Sequence, residues 1–279
     1  MNRFFKLWFQ VFSRVKTIEH DDPELTPENW CERQPCRTLE IGPKKIVISQ
    51  PASTFWVYFL GLLTIGVGIY FFQIQNNETS RYYWGVCLLL WGIGALLAGT
   101  SYQAFGYEIK CAGRKTCAWT SWWELIYLIF QQVSMNALLV AVAYSCTTGK
   151  FQNILLGYAL LSSIAYTLIV FTGGIIPVKS LITFEFMVWF SVPVLFFCVL
   201  LNAFRFFIYG GTMDLVLLGT WVLLILTMAA YRAYLKRGIS KKLWEKQIWF
   251  SENDVLHVLL ILWVIYIAVV VANHIKDYS

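Results

Sequence analysis

Seven long runs of apolar residues, separated by short polar segments, dominate the chain. They lie at 54–74, 82–105, 122–146, 151–172, 183–206, 213–235 and 255–274. Each has about the twenty residues that a helix needs to cross the hydrocarbon part of a bilayer. The pattern predicts an all-α, polytopic membrane protein in which residues 51–279 form a bundle of seven transmembrane helices.

The first fifty residues follow a different pattern and predict a separate region. Residues 2–16 mix aromatic and aliphatic side chains with four basic ones, which is typical of a short amphipathic helix on a membrane surface. A frayed tail is the alternative. Residues 19–50 are rich in proline and polar residues, so we expect a loop-rich cap. Within it, 46–48 could form a short strand or an extended lead-in.

Composition supports lipid as the solvent of this chain. Charged residues make up only 14% of the sequence and hydrophobic ones 58%, whereas a soluble domain has about 25% charged residues. The net charge of +6 is therefore interpreted through membrane topology, and we expect no nucleic-acid partner.

Basic residues in the loops favour one orientation. With a cytoplasmic N-terminus, twelve Lys and Arg residues fall on the cytoplasmic side and four on the other. Because short cytoplasmic loops carry an excess of Lys and Arg, we expect the N-terminus inside and the C-terminus outside. The amphipathic helix and the basic loop 236–254 would then face anionic lipid headgroups.

Polar side chains gather at the predicted cytoplasmic ends of four helices, and such side chains normally face a bundle interior or a watery cavity. We expect a polar pocket open to the cytoplasm. Helix capping and interhelical hydrogen bonding are the alternatives for the individual residues. The candidates are Ser101, Gln103, Glu124, Gln131, Ser134, Glu185, Asp254 and His257.

Three of these side chains offer hydrolytic chemistry. His257, Asp254 and Glu124 could supply nitrogen and oxygen ligands to a zinc ion, leaving a position for water. Without a metal, Glu124 or Asp254 could act as a general base. A covalent retinal protein is not expected, because no lysine lies between Val255 and Asn273.

Four cysteines lie on the side of the membrane where the cap is predicted. Cys31 and Cys36 are in the N-terminal cap, and Cys111 and Cys117 are in the second connecting loop. They could bind a structural zinc ion or form two disulfides. Disulfides would favour an oxidising compartment, which opposes the orientation predicted from the basic residues.

The arrangement resembles the seven-helix hydrolase superfamily of alkaline ceramidases and adiponectin or progestin receptors. Ser101 at the end of the second helix, and His257 in the stretch Asn253-x-x-x-His257, carry the resemblance. In that family, a Ser and several His residues surround a zinc ion that activates water to cleave a lipid amide. This chain departs from the pattern at Asn253, where the family has a His, and at Phe105, where the helix-two His would be.

Three functions follow as expectations. The first is a lipid amide or ester hydrolase, or a degenerate relative, with Ser101, Glu124, Asp254 and His257 as catalytic residues and membrane lipids as partners. The second is a non-enzymatic sensor or receptor whose pocket binds a ligand. The third is a small-solute transporter, which would need polar groups that reach the other face.

Overall fold

A computed structural model describes residues 10–278, and seven helices in that range are long and apolar enough to cross a membrane. The prediction of an all-α seven-helix bundle is confirmed, and the chain is an integral membrane protein. The spanning helices α1 to α7 are Pro51–Gln73, Thr79–Ala98, Trp122–Cys146, Gly149–Ile175, Phe184–Tyr209, Thr212–Lys236 and Glu252–Val269.

Shorter helical segments continue or connect these helices. Helix α2 extends through one π-helical segment, Gly99–Ala104. The other segments are the α-helices Trp30–Arg33, Gly106–Lys110 and Ile239–Trp244 and the 3₁₀ helices Arg14–Thr17, Lys179–Leu181 and Val271–Asn273.

Six of the spanning helices form a ring. In spatial order they are α1, α2, α3, α5, α6 and α7, and α7 packs on α1 to close the ring. Helix α4 stands outside it, packed on α3, while its Tyr158 and Tyr166 reach aromatic side chains of α5. The outer face of α4 is strongly exposed at Leu161, as expected for a surface in contact with lipid.

A layer of aromatic side chains fills the half of the ring far from the cap. The ring of Phe71 stacks on Trp84 at 5.8 Å, and Trp84 stacks on Trp221 at 6.3 Å. All three side chains are fully buried. This layer closes the interior of the bundle on that side.

The cap contains a β-hairpin of which the sequence indicated only one part. Strand β1, Cys36–Ile41, pairs antiparallel with β2, Lys44–Ser49, which includes the possible strand 46–48. The backbone N–H of Val47 donates to Glu108, and the indole of Trp30 donates to the hydroxyl of Ser49. The cap is thereby tied to the helix Gly106–Lys110.

The end of the predicted amphipathic helix docks on the bundle. Residues 2–9 lie outside the described part of the chain, but 10–13 are helical and continue into Arg14–Thr17. The indole of Trp122 donates to the carbonyl of Phe12, whose ring lies 4.9 Å from the Trp122 ring. Val15 is fully buried against the bundle.

Candidate functional site

An apolar cavity lies inside the ring of six helices, on the cap side of the aromatic layer. It measures about 930 Å³, counted to its open mouth, and each of the six helices contributes to its wall. Its few polar side chains are Tyr127, Gln131, Ser191 and His257 among aliphatic, aromatic and methionine neighbours. A largely apolar lining with a few polar side chains is typical of a site for a small apolar molecule.

A more polar chamber adjoins this cavity at the cap-side ends of the helices. It measures about 620 Å³, counted to its open mouth. The two spaces share Ala98, Tyr127, Phe184, Leu256 and His257 as wall residues. They therefore lie side by side, one apolar and one polar, and are called the combined site. The polar side chains of the chamber are Tyr102, Gln103, Tyr127, Tyr231, Asn253 and His257.

The π-helical end of α2 brings several of the candidate side chains together. In a π-helix the backbone is wound more loosely, and such segments often occur at functional sites. Here Gly99 lies against Val57 of α1, where an added Cβ would come within 2.4 Å of a methyl group. The segment places Gln103 in the chamber wall, while the buried Ser101 faces α3.

Ser101 and Glu124 do meet, but in a buried network that includes a lysine. Ser101 and Lys110 donate to Oε1 of Glu124 at 2.8 and 2.9 Å, and Thr120 donates to Oε2 at 2.8 Å. The hydroxyl of Ser101 also lies 2.7 Å from that of Ser121. The exposed fractions of Glu124 and Lys110 are only 1% and 6%. Both carboxylate oxygens thus have partners, and neither lines the cavity or the chamber.

Lys110 is the residue that sequence reasoning missed in this network. It was counted among the basic residues of a cytoplasmic loop, yet it is buried, and its Nζ lies 5.0 Å from the centre of the Tyr102 ring. Tyr102 lines the polar chamber, so the chamber touches the network through the contact of this tyrosine with Lys110. The signal available in the sequence for this pair was Glu124 at the start of α3, with Lys110 fourteen residues before it.

Asp254 caps the helix on which it lies. Its Oδ2 accepts from the backbone N–H and the hydroxyl of Ser251 at 2.6 and 3.0 Å, and the Asp254 N–H donates back to Ser251. This is the capping box at the start of α7. Oδ1 of Asp254 is buried without a partner, and the residue lines neither space.

One of the three remaining candidates lines the cavity, and the other two line neither space. Gln131 lines the cavity, and its amide donates to the carbonyl of Trp91. Ser134 donates to the carbonyl of Gln131 within its own helix, so as a pocket residue it is a wrong prediction. Glu185 is exposed in the first turn of α5 and lines neither space. The helix begins there because the Thr183 hydroxyl accepts from the N–H of Phe186.

His257 and Gln103 line the chamber, and neither side chain has a hydrogen bond to another described residue. The Nδ1 atom of His257 and the Oε1 atom of Gln103 are buried and unpartnered. None of the hydrogen bonds among residues 10–278 joins His257 to a carboxylate, although His257 follows Asp254 by one helical turn.

The zinc set predicted from the sequence is not assembled. Within the described residues, no group of three His, Cys, Asp or Glu side chains lies close enough to hold a metal ion. Glu124 is held by Lys110, and Asp254 is held by Ser251, so neither carboxylate reaches His257. Helix capping, which the sequence left as an alternative, accounts for Asp254, and an ion pair that the sequence did not indicate accounts for Glu124.

The four cap cysteines form two disulfides, Cys31–Cys36 and Cys111–Cys117. Three of the cysteines belong to a small apolar cluster with Leu25, Trp30 and Tyr107. The disulfide alternative, and not the zinc alternative, is the one that the structure contains.

A second buried network, at the opposite end of the bundle, was not anticipated. Asp214 of α6 accepts from Arg205 at 3.2 Å and from Asn202 at 3.0 Å, and Trp221 donates to Asn202. The Arg205 guanidinium also lies 4.6 Å from the centre of the Tyr278 ring. This network joins α5, α6 and the C-terminal segment, and the aromatic layer separates it from the cavity.

Comparisons with protein families, with curated proteins and with solved structures find no match to this chain. The resemblance to the ceramidase and receptor superfamily therefore stays a prediction.

Proposed function

We propose that this integral membrane protein binds a single amphipathic lipid-like molecule within its ring of helices, as a non-enzymatic binding or sensing protein. The observation that carries the proposal is the combined site, in which an apolar cavity inside the bundle adjoins a polar chamber at the cap-side end. An amphiphile matches this division because its chain can occupy the cavity while its head reaches the chamber. The apolar surface of such a ligand would supply most of the binding free energy.

The arrangement of polar residues supports binding more than hydrolysis. A hydrolase needs a nucleophile or activated water beside an oriented base. Ser101 and Glu124 satisfy each other and Lys110 outside the site, and Asp254 serves as a helix cap. His257 remains in the site with no carboxylate to orient it within the described residues.

The aromatic layer supports binding more than transport. A transporter would need a polar route that continues to the opposite face. Beyond the cavity, Phe71, Trp84 and Trp221 are stacked and fully buried. A ligand that enters the cavity thus meets a closed end.

The test is retention of lipid by the purified protein. We expect native mass spectrometry of the wild-type protein in mild detergent to show one bound lipid per chain. Ala95→Phe should abolish retention because Ala95 lines the cavity and is nearly buried. Leu161→Phe on the outer face of α4, where the side chain is 67% exposed, is the matched control and should retain the lipid.

A second variant guards against misfolding. Val192→Trp also places a larger side chain in the cavity wall. Because Val192 is 44% exposed, this substitution should strain the core less than Ala95→Phe does. Equal retention by the wild-type protein and by both folded cavity variants would overturn the proposal.

A further inference from the structure

The walls of the combined site carry no charged side chain. Among the described residues that line the cavity and the chamber, none is Lys, Arg, Asp or Glu. A charged head group in a low-dielectric site needs a partner of opposite charge, since its desolvation is strongly unfavourable. The walls themselves offer no such partner to a phosphate, a carboxylate or an ammonium group.

The basic residue behind the chamber wall is committed elsewhere. Lys110 contacts the chamber wall at Tyr102, and it is paired with Glu124 at 2.9 Å. The carboxylates of Glu252 and Glu185 act electrostatically on Tyr231 of the chamber, and Glu185 also acts on Tyr102. Their negative charges would further disfavour an anionic head.

What the chamber does offer is unused neutral hydrogen-bonding capacity. Gln103 is only 3% exposed, and its Oε1 is unpartnered. A carboxamide provides both an acceptor and two donors. Across the same chamber, Nδ1 of His257 is enclosed and unpartnered, and a neutral imidazole also provides one donor and one acceptor. Buried polar groups without partners are unfavourable unless a ligand or water satisfies them.

We propose that Gln103 and His257 bind the uncharged hydroxyl head of a neutral lipid, such as a fatty alcohol, a monoacylglycerol or a sterol. This inference rests on the proposed function and specifies its ligand class. A hydroxyl group both donates and accepts, so it can pair with the acceptor atoms as well as the donor atoms of the amide and the imidazole, whereas a carboxylate can only accept from their donors. The apolar remainder of the lipid would lie against the wall that Gln131 and Met135 contribute.

Three ligands with one common chain test the head-group preference. Oleyl alcohol, oleyl sulfate and oleylamine compete with a photoreactive oleyl alcohol for cross-linking to the full chain in phosphatidylcholine nanodiscs. We expect the alcohol to compete about tenfold better than either charged analogue, given the cost of burying an unpaired charge. Gln103→Leu should reduce that advantage to within about threefold.

Two further variants sharpen the test. Gln103→Glu should move the preference towards the amine, because it places a carboxylate in the wall. Gln132→Leu is the control: Gln132 is also buried, with an unpartnered Nε2, but it does not line the site, so the preference should not change.

The competition experiment distinguishes a failure of the head-group inference from a failure of the proposed function. If the sulfate or the amine competes as well as the alcohol, the head-group inference is overturned and the binding site stands. If the probe does not cross-link to cavity residues at all and no ligand competes, the proposed function itself is overturned.

Discussion

The Nζ atom of Lys110 lies 2.9 Å from Oε1 of Glu124, with both side chains almost completely buried. The pair joins the short helix Gly106–Lys110 beneath the cap to the first turn of α3. Ser101 at the end of α2 donates to the same oxygen. One carboxylate thus holds together three segments that lie behind the polar chamber, which makes this pair a structural support for the chamber wall.

Removing one partner of this pair should be costly. Lys110→Met leaves the Glu124 carboxylate buried without its cation, so we expect a loss of about 3–5 kcal/mol in the free energy of unfolding. Adding Glu124→Gln should recover part of this loss, because a neutral amide can accept from the hydroxyl of Ser101 or Thr120 and donate to the other. Unfolding in detergent, followed by tryptophan fluorescence, measures both changes. Equal stability of wild-type protein and Lys110→Met would contradict a supporting role.

The C-terminal segment should stabilise the start of α2. Oδ2 and Oδ1 of Asp277 accept from the backbone N–H groups of Thr79 and Ser80 at 2.9 and 2.7 Å, as a capping carboxylate does. Asp277→Ala should therefore cost about 1 kcal/mol. The exposed neighbour provides the control, Lys276→Ala, which should change stability little.

The contribution of Asp277 should depend on pH. Partial burial raises the pKa of this carboxyl, but the hydrogen bonds from Ser80 and Thr79 outweigh it, and the pKa in the folded protein is lowered from its usual value. The stabilisation is therefore present above about pH 4, the unfolded-state value, and is lost as the pH falls through the folded-state pKa. The stability difference between wild-type protein and Asp277→Ala should shrink in that acid range; a difference that grows there would be the wrong sign.

The seven spanning helices and the gathering of polar residues at their cap-side ends could be predicted from the sequence. The length and hydrophobicity of a spanning helix are local properties of the sequence, because the lipid bilayer imposes them on every such helix. The neighbours of each polar residue could not be predicted in this way. Asp254 and His257 are one helical turn apart, yet Asp254 turns back to Ser251 while His257 faces the chamber. That choice depends on packing between helices distant in the sequence.

The same limit applies to the loops. Lys110 counts among the basic residues of the cap side because nothing local distinguishes it from Lys115, which is exposed. Its burial depends on Glu124, fourteen residues further along. Likewise, Arg205 and Asp214 lie in the fifth and sixth predicted spans, and nothing in those spans indicates that the two side chains pair across the connection between α5 and α6.

Membrane orientation gives an independent prediction. The excess of Lys and Arg on the cap side favours a cytoplasmic cap even with Lys110 set aside, while the two disulfides favour an oxidising compartment. The charge bias involves many more residues, so we expect the cap inside and the C-terminus outside. A phosphatase fused after Ser279 should then be active and a fluorescent protein fused there dark. An inactive phosphatase, together with a bright fluorescent fusion, would reverse the orientation.

The most direct test of the central claim is an experimental density map of the protein in lipid nanodiscs, with a bound antibody fragment to add mass. The account predicts one elongated density in the cavity between the helices of the ring. Its polar end should lie within about 3 Å of the side chains of Gln103 and His257. A well-resolved map in which the cavity is empty, or in which those two side chains turn away to partners within the chain, would contradict it.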